Sequence, residues 1–268
     1  SQGALVALLL GLLVIHAALN SISSRVTAFT NTLSFFWHVF ASIAMCGALL
    51  ATARSLNAPS YVLTAWTPNS SVHGIRSPPY IFLMGLLMAQ WALMGYDASI
   101  HVAEETIDAQ NAASAALVAS VCLCSGLGLG VLLSLTFAMQ SMASILSPAN
   151  ATGGHSAMTQ LFWDVFQSRY GSGIGALGLS YIPLVGLFFC ANASLAANAR
   201  MLYAFSRDGA MPGFRIWRRL HPSSRLPLHA CWLMAALAGL LGVPCVLNKR
   251  FFHTVSAGSV VALSLSYG

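Results

Sequence analysis

The sequence predicts an all-α integral membrane protein, and three observations predict it. Hydrophobic residues make up 57% of the 268 positions and charged residues only 7%, where a soluble domain carries roughly 25%. Mean hydropathy is +0.74. The apolar residues gather into runs of about 20, the length that crosses a ~30 Å hydrocarbon core as a helix. Twelve basic and six acidic residues cannot coat a soluble globule of this size, and the apolar content excludes intrinsic disorder.

The runs fall at 3–20, 32–53, 79–106, 114–142, 172–204, 227–247 and 251–267. Breakers lie between them: Asn57, Pro59, Pro68, Asn69, Pro78 and Pro79; then Pro148, Asn150, Gly153 and Gly154; then Pro212, Gly213, Pro222 and Pro227. The chain does not begin with Met, has no signal peptide, and opens and closes inside apolar runs. It reads as an internal fragment of a longer protein.

Alternation of the loops sets the orientation. Loops 21–31, 107–113 and 205–226 share one face of the membrane, and loops 54–78, 143–171 and 248–250 share the other. Arg207, Arg215, Arg218, Arg219 and Arg225 cluster in one loop, which places 205–226 in the cytoplasm. The sequons Asn69-Ser70-Ser71 and Asn150-Ala151-Thr152 fall on the opposite, extracytoplasmic side. A third, Asn192-Ala193-Ser194, lies inside a span. The net charge of +6 therefore orients the chain in a bilayer, and no nucleic-acid partner is expected. Cys46, Cys122, Cys124, Cys190, Cys231 and Cys245 sit in apolar runs and read as small buried hydrophobes. Within loop 143–171, Leu161, Phe162, Val165 and Phe166 recur at helical spacing, which predicts an amphipathic helix on the outer surface.

The third run carries the chemistry. As one helix, 79–106 would reach ~42 Å, too long without tilt. Its middle reads Trp91-Ala92-Leu93-Met94-Gly95-Tyr96-Asp97. Gly95 followed by Asp97 suits a break, with Asp97 capping a half-helix from Ala98. Broken helices at the midplane supply fixed backbone dipoles to transporter substrate sites. The alternative is a tilted, unbroken helix with Gly95 at a close contact. Asp97 is an intramembrane acid, hence either a proton-titrating or gating group or a plain cap.

Other polar groups are weighed in the same way. His38, beside Trp37, is either a proton-bearing group at an ion site or an interfacial residue. His16 reads as a packing residue. Glu104 is a candidate partner for an arginine at the cytoplasmic mouth, while Glu105 and Asp108 read as a solvated helix end. His101 and Glu104 have metal-ligand spacing but lack a second histidine pair, so no metal is expected. Cys190, Ser194 and Asn198 form a polar stripe at i, i+4, i+8, which either glues helices or lines a cavity, with Asn192 off the stripe. Gly126, Gly128 and Gly130 sit inside a span and read as helix packing, not a phosphate loop. No nucleophile elbow, HExxH or P-loop is present, so neither an enzyme nor a cofactor is expected.

Two stretches resemble a known family. Gly95-Tyr96-Asp97-Ala98-Ser99-Ile100-His101-Val102-Ala103-Glu104-Glu105-Thr106 is similar to the sixth-helix signature of eukaryotic amino acid/choline permeases. These belong to the amino acid–polyamine–organocation superfamily, which includes GABA permeases and plant bidirectional amino acid transporters. Arg200-Met201-Leu202-Tyr203-Ala204-Phe205-Ser206-Arg207-Asp208-Gly209-Ala210-Met211-Pro212 is similar to the junction after the family's eighth helix. A weaker likeness covers Arg25 through Trp37-His38.

The resemblance implies that the chain supplies about helices 4–10 of a twelve-helix transporter with two inverted five-helix repeats. It implies a helix break near 91–97, with Trp91 as an aromatic gate over substrate and Ala92, Leu93, Met94 and Gly95 offering backbone groups. Asp97 falls where some relatives have an acid implicated in proton sensing. His38 falls where proton-coupled relatives place a lysine, so His38 and Asp97 are the proton-linked candidates, with Ser194 and Asn198 on the far wall. The family's glycine-rich first helix, which binds the substrate carboxylate, is not in this sequence, and Phe29 stands where relatives often have an arginine. The expected activity is proton-coupled transport of an amino acid or GABA by alternating access, in a plasma or organellar membrane. Choline or polyamine transport is the alternative within the family, and a seven-span receptor the alternative outside it.

Overall fold

The structure is a computed structural model. It describes residues 2–64, 77–153 and 156–267, leaving aside the side chains of residues 87–92, 105, 146, 249 and 267. The sequon at Asn69 and the glycine at 154 lie outside the described residues. Among those described, every regular element is helical.

Helix α1 (Gln2–Ile22) is separated by Ser23 alone from α2 (Ser24–Phe36). The stretch 21–31, expected as a loop, is therefore largely helix. It contains no glycine or proline, and the Ser23 hydroxyl accepts the amide of Val26 at 3.2 Å, capping α2 at its start. A π-helical turn, Trp37–Ala41, carries α2 into α3 (Ser42–Thr52). A short α4 (Pro59–Thr64) precedes α5 (Pro78–Ala92), which ends in a turn before the single-turn α6 (Ala98–His101) and a 3-10 turn at Ala103–Glu105. Then follow α7 (Ala109–Ala138), α8 (Met142–Leu146), α9 (Ala157–Tyr170), α10 (Gly175–Arg207), α11 (Phe214–Trp217), α12 (Leu228–Leu247) and α13 (Lys249–Tyr267).

Among the described residues, five stretches are long and apolar enough to cross a membrane: Gln2–Ile22, Ser24–Thr52, Ala109–Ala138, Gly175–Arg207 and Leu228–Leu247. Seven runs were expected, and two do not meet that standard for physical reasons. At 1.5 Å per residue α5 reaches only about 22 Å. The stretch α13 carries Lys249, Arg250, His253 and four serines, which dilute its apolar character.

The chain divides into two compact units. The first comprises Ser1–Thr32, Asp97–Leu117 and Phe189–Gly268. Here α1 packs along α12, burying Ala17, Leu195, Ala199, Cys231 and Ala235. Small residues bring the two backbones together: a Cβ on Gly242 would stand 2.9 Å from a Leu9 methyl. Lipid tails are as apolar as leucine, so close van der Waals fit of this kind holds membrane helices together.

The second unit comprises Leu33–Tyr96 and Val118–Phe188. Its core gathers Met45, Leu49, Ile145, Phe162, Val165 and Leu179. The amphipathic stretch forms α9, capped by the Ser156 hydroxyl on Thr159 N–H and closed by Gly171 at φ 68°. Its apolar face is buried by protein. Phe162 is fully buried against α3, α7, α8 and α10, because this face finds protein before it finds lipid. Asn57, a breaker in the sequence, donates from Nδ2 to the Thr136 carbonyl at 2.9 Å, satisfying an acceptor at the end of α7. Asn150 of the second sequon is likewise engaged: its amide donates to Ile145 O at 2.8 Å, and its Oδ1 accepts from Thr152 N–H at 3.1 Å.

Candidate substrate and gating site

The third run is interrupted. Helix α5 stops at Ala92 and the chain turns through Leu93–Asp97. Gly95 has φ +91°, a conformation that L side chains rarely adopt, although nothing lies within 4 Å of where its Cβ would be. Backbone geometry rather than crowding therefore requires the glycine. The side chains of Trp91 and Ala92 lie outside the described residues. Leu93 and Met94 are half-buried.

Asp97 stands at the N-cap position of α6 but does not cap it. Its backbone is already helical (φ −76°, ψ −8°), whereas a capping side chain reaches back from extended backbone. The carboxylate runs instead along the turn, and its Oδ2 lies 3.2 Å from His101 Nε2. The expected half-helix begins at Ala98 yet lasts one turn before the chain tightens to 3-10 and becomes extended at Thr106.

Glu104 is paired. Arg207 Nη1 donates to both its carboxylate oxygens, at 2.8 and 2.9 Å. Local sequence places Arg207 there. Helix α10 ends with the amide of Ala210 on Phe205 O at 3.0 Å and that of Gly209 on Ser206 O at 3.3 Å, with Gly209 at φ 79°. This is the double closure of a Schellman motif, and it fixes Arg207 in the last turn, where a cation also favours the helix dipole. The pair is about half exposed on each side, so it is a contact that water can open. Beside it lies a cavity of about 650 Å³ lined by Asp97, His101, Glu104, Arg200, Tyr203 and Arg225, among others.

His38 belongs to the second unit. It sits in the π-helical turn, exposed, with Nδ1 2.7 Å from Ser34 O. It lies against α10, since a Cβ added at Gly186 would stand 3.2 Å from its Nε2. Its neighbour Trp37 donates its indole N–H to Ile182 O at 3.2 Å, one residue before the helix-internal Pro183.

A family model for amino acid permeases matches residues 2–268. The chain belongs to the amino acid permease family. It is 32% identical over 96% of its length to amino-acid permease BAT1 of Arabidopsis thaliana. It is 33% identical over 96% of its length to the BAT1 homolog of Oryza sativa subsp. japonica. A choline transporter of Saccharomyces cerevisiae is 24% identical over 72% of this chain and 33% of its own. The chain spans about half the length of the plant relatives it matches, 49% in each case. Family and helices together make it a multi-pass membrane protein of a transporter family, and the receptor reading is set aside.

The permease family does not by itself say which polar groups face inward. Cys190, Ser194 and Asn198 are exposed on α10, and neither Ser194 nor Asn198 lines the cavity at Asp97. Besides Ser206 in its last turn, the buried polar residue on that helix is Asn192, 2% exposed. Its Oδ1 accepts from Asn20 Nδ2 at 3.0 Å, and its side chain also bonds to His16. The Asn20 amide donates further to His16 O at 2.9 Å. His16, 3% exposed, is thus part of a three-residue polar knot rather than a lone packing residue. One signal could have found it. Asn192, Ala196 and Ala199 repeat at i, i+4, i+7, and such small-residue faces mark close helix contacts.

Proposed function

We propose that this chain forms part of a secondary transporter that moves an amino acid or GABA by alternating access, driven by the proton gradient. The observation that carries the reading is the interruption at Leu93–Asp97, inside what the sequence reads as one apolar run of a permease-family chain. Unwound backbone exposes N–H and C=O groups that can hold a zwitterion without a charged side chain. In this reading the chain supplies about helices 4–10 of a twelve-helix inverted-repeat protein. Trp91 gates the substrate; Ala92, Leu93, Met94 and Gly95 supply backbone contacts. Asp97 and His38 carry the coupling proton, Ser194 and Asn198 form the far wall, and Glu104 with Arg207 closes the cytoplasmic side. The contact between Asp97 and His101 sets a second ionisable side chain beside the carboxylate, which supports a role for Asp97 in the site.

The test is uptake by the full-length protein in proteoliposomes, with labelled amino acids, GABA and choline, with and without an inward proton gradient. Amino acid or GABA uptake that rises with the gradient is expected. Uptake indifferent to the gradient removes the proton coupling. Uptake of choline alone favours the second reading, an organocation permease, which the yeast choline transporter relative supports.

A further inference from the structure

The stretch between α10 and α12 carries a cluster of arginines that the proposed transport does not use. Residues 209–227 contain Arg215, Arg218, Arg219 and Arg225 and no acidic residue. All four arginines are exposed, and among the described residues none of them forms an ion pair. Helices long and apolar enough to span the membrane flank the stretch on both sides, ending at Arg207 and starting at Leu228. It therefore lies at a lipid–water boundary.

The stretch is also built rather than loose. Gly213, at φ 73°, opens the one-turn helix Phe214–Trp217. The Trp217 indole folds back over Gly213 and donates to Pro212 O at 3.0 Å. That turn holds two guanidinium groups around one ring: Arg215 Cζ is 5.9 Å and Arg218 Cζ 5.5 Å from the Phe214 centroid. Beyond it, the amide of His221 donates to Leu226 O at 3.0 Å and that of Arg225 to His221 O at 2.9 Å, closing a second small loop with Arg225 at φ 53°. Exposed Ile216 and Leu220 stand among the arginines. Arg215, Arg218 and Arg219, like charges on an apolar-studded turn with no carboxylate between them in sequence, are relieved by an external anion. Guanidinium groups match phosphate oxygens two at a time.

We propose that the Phe214–Arg225 stretch binds the anionic headgroups of phospholipids in the adjacent leaflet. Charge complementarity decides the occupant. Juxtamembrane arginine clusters meet the negative surface of the cytoplasmic leaflet, and the exposed Ile216 beside them suits a lipid surface better than a soluble anion. The proposal rests on the membrane embedding of the chain and not on which substrate it carries.

The experiment is native mass spectrometry of the full-length protein released from detergent. It is titrated with phosphatidylserine or with phosphatidylcholine of the same acyl chains, and separately with inorganic phosphate as competitor. Wild type should retain phosphatidylserine in preference to phosphatidylcholine. The triple variant R215Q/R218Q/R219Q should lose that preference about tenfold or more, each arginine near an anionic surface being worth about fivefold. Arg169→Gln, which changes a charge on α9, should leave it unchanged, and the melting temperature of each variant checks folding. The proposal is overturned by equal retention of the two lipids in wild type, by undiminished preference in the folded triple variant, or by an equal loss in Arg169→Gln. Displacement of the lipid by inorganic phosphate at matched concentration also overturns it, since the site would then serve a soluble anion.

Discussion

Glu104 and Arg207 are 103 residues apart in sequence, and one Arg207 nitrogen reaches both oxygens of the Glu104 carboxylate. The pair joins the irregular segment after α6 to the end of α10. Because both side chains are about half exposed, the bond contributes little to stability. In the gate proposed above, the pair breaks and remakes. Glu104→Gln and Arg207→Gln are expected to leave the melting temperature nearly unchanged while altering uptake by the full-length protein. The exchange E104R/R207E should recover part of what either charge reversal loses. A double-mutant cycle on uptake reads this, and additive losses would show that the pair is not a gate.

Gly95 gives a cleaner test of the helix interruption. An added methyl group meets nothing within 4 Å, so any effect of Gly95→Ala comes from its φ of +91°. Left-handed backbone costs an L-residue about 1–2 kcal/mol. Gly95→Ala should lower both thermal stability and uptake. Gly126→Ala, also in open space but in ordinary helical backbone, should be neutral or slightly stabilising. Thermal melts and uptake of the two variants side by side check this, and identical behaviour would remove the backbone argument.

The buried amide knot predicts a contrast along one helix. Asn192→Ala takes an acceptor from Asn20 in a site from which water is excluded, and should destabilise by about 1–2 kcal/mol. Asn198→Ala, six residues on and exposed, should stay within about 0.5 kcal/mol. Thermal unfolding in detergent separates them. If Asn198 lines the substrate path as proposed, its variant should change uptake without changing stability.

Gly186 offers a way to perturb His38 without touching it. A methyl group there comes to 3.2 Å from Nε2 and obliges the imidazole to shift by a few tenths of an ångström, whereas Gly178 in the same helix has open space. Gly186→Ala should change how uptake responds to the proton gradient and Gly178→Ala should not. If the gradient response survives both substitutions and His38→Ala, His38 is not the coupling group.

Much of this architecture was legible before any coordinates. The apolar runs, their proline- and glycine-rich separators and the two family-like stretches named an all-helical permease, because a bilayer imposes its thickness on composition and the helix is the local solution for backbone polar groups in lipid. The glycine at 95 marked the interruption because left-handed backbone leaves a residue-type signature. What the residues alone did not settle was orientation around each helix axis. Polar residues lie on more than one side of α10, Ser194 and Asn198 on one and Asn192 on another, so the sequence does not point to its buried face. Only packing against α1 shows that Asn192, and not Ser194 or Asn198, is enclosed. The same holds for Asp97, whose backbone turn sends the carboxylate to His101 rather than to the helix start. It holds for Glu104, whose partner lies 103 residues away. Composition and local propensity are properties of neighbours in the chain. Which polar groups meet depends on helices that come together from distant segments, and that was decided by the tertiary structure.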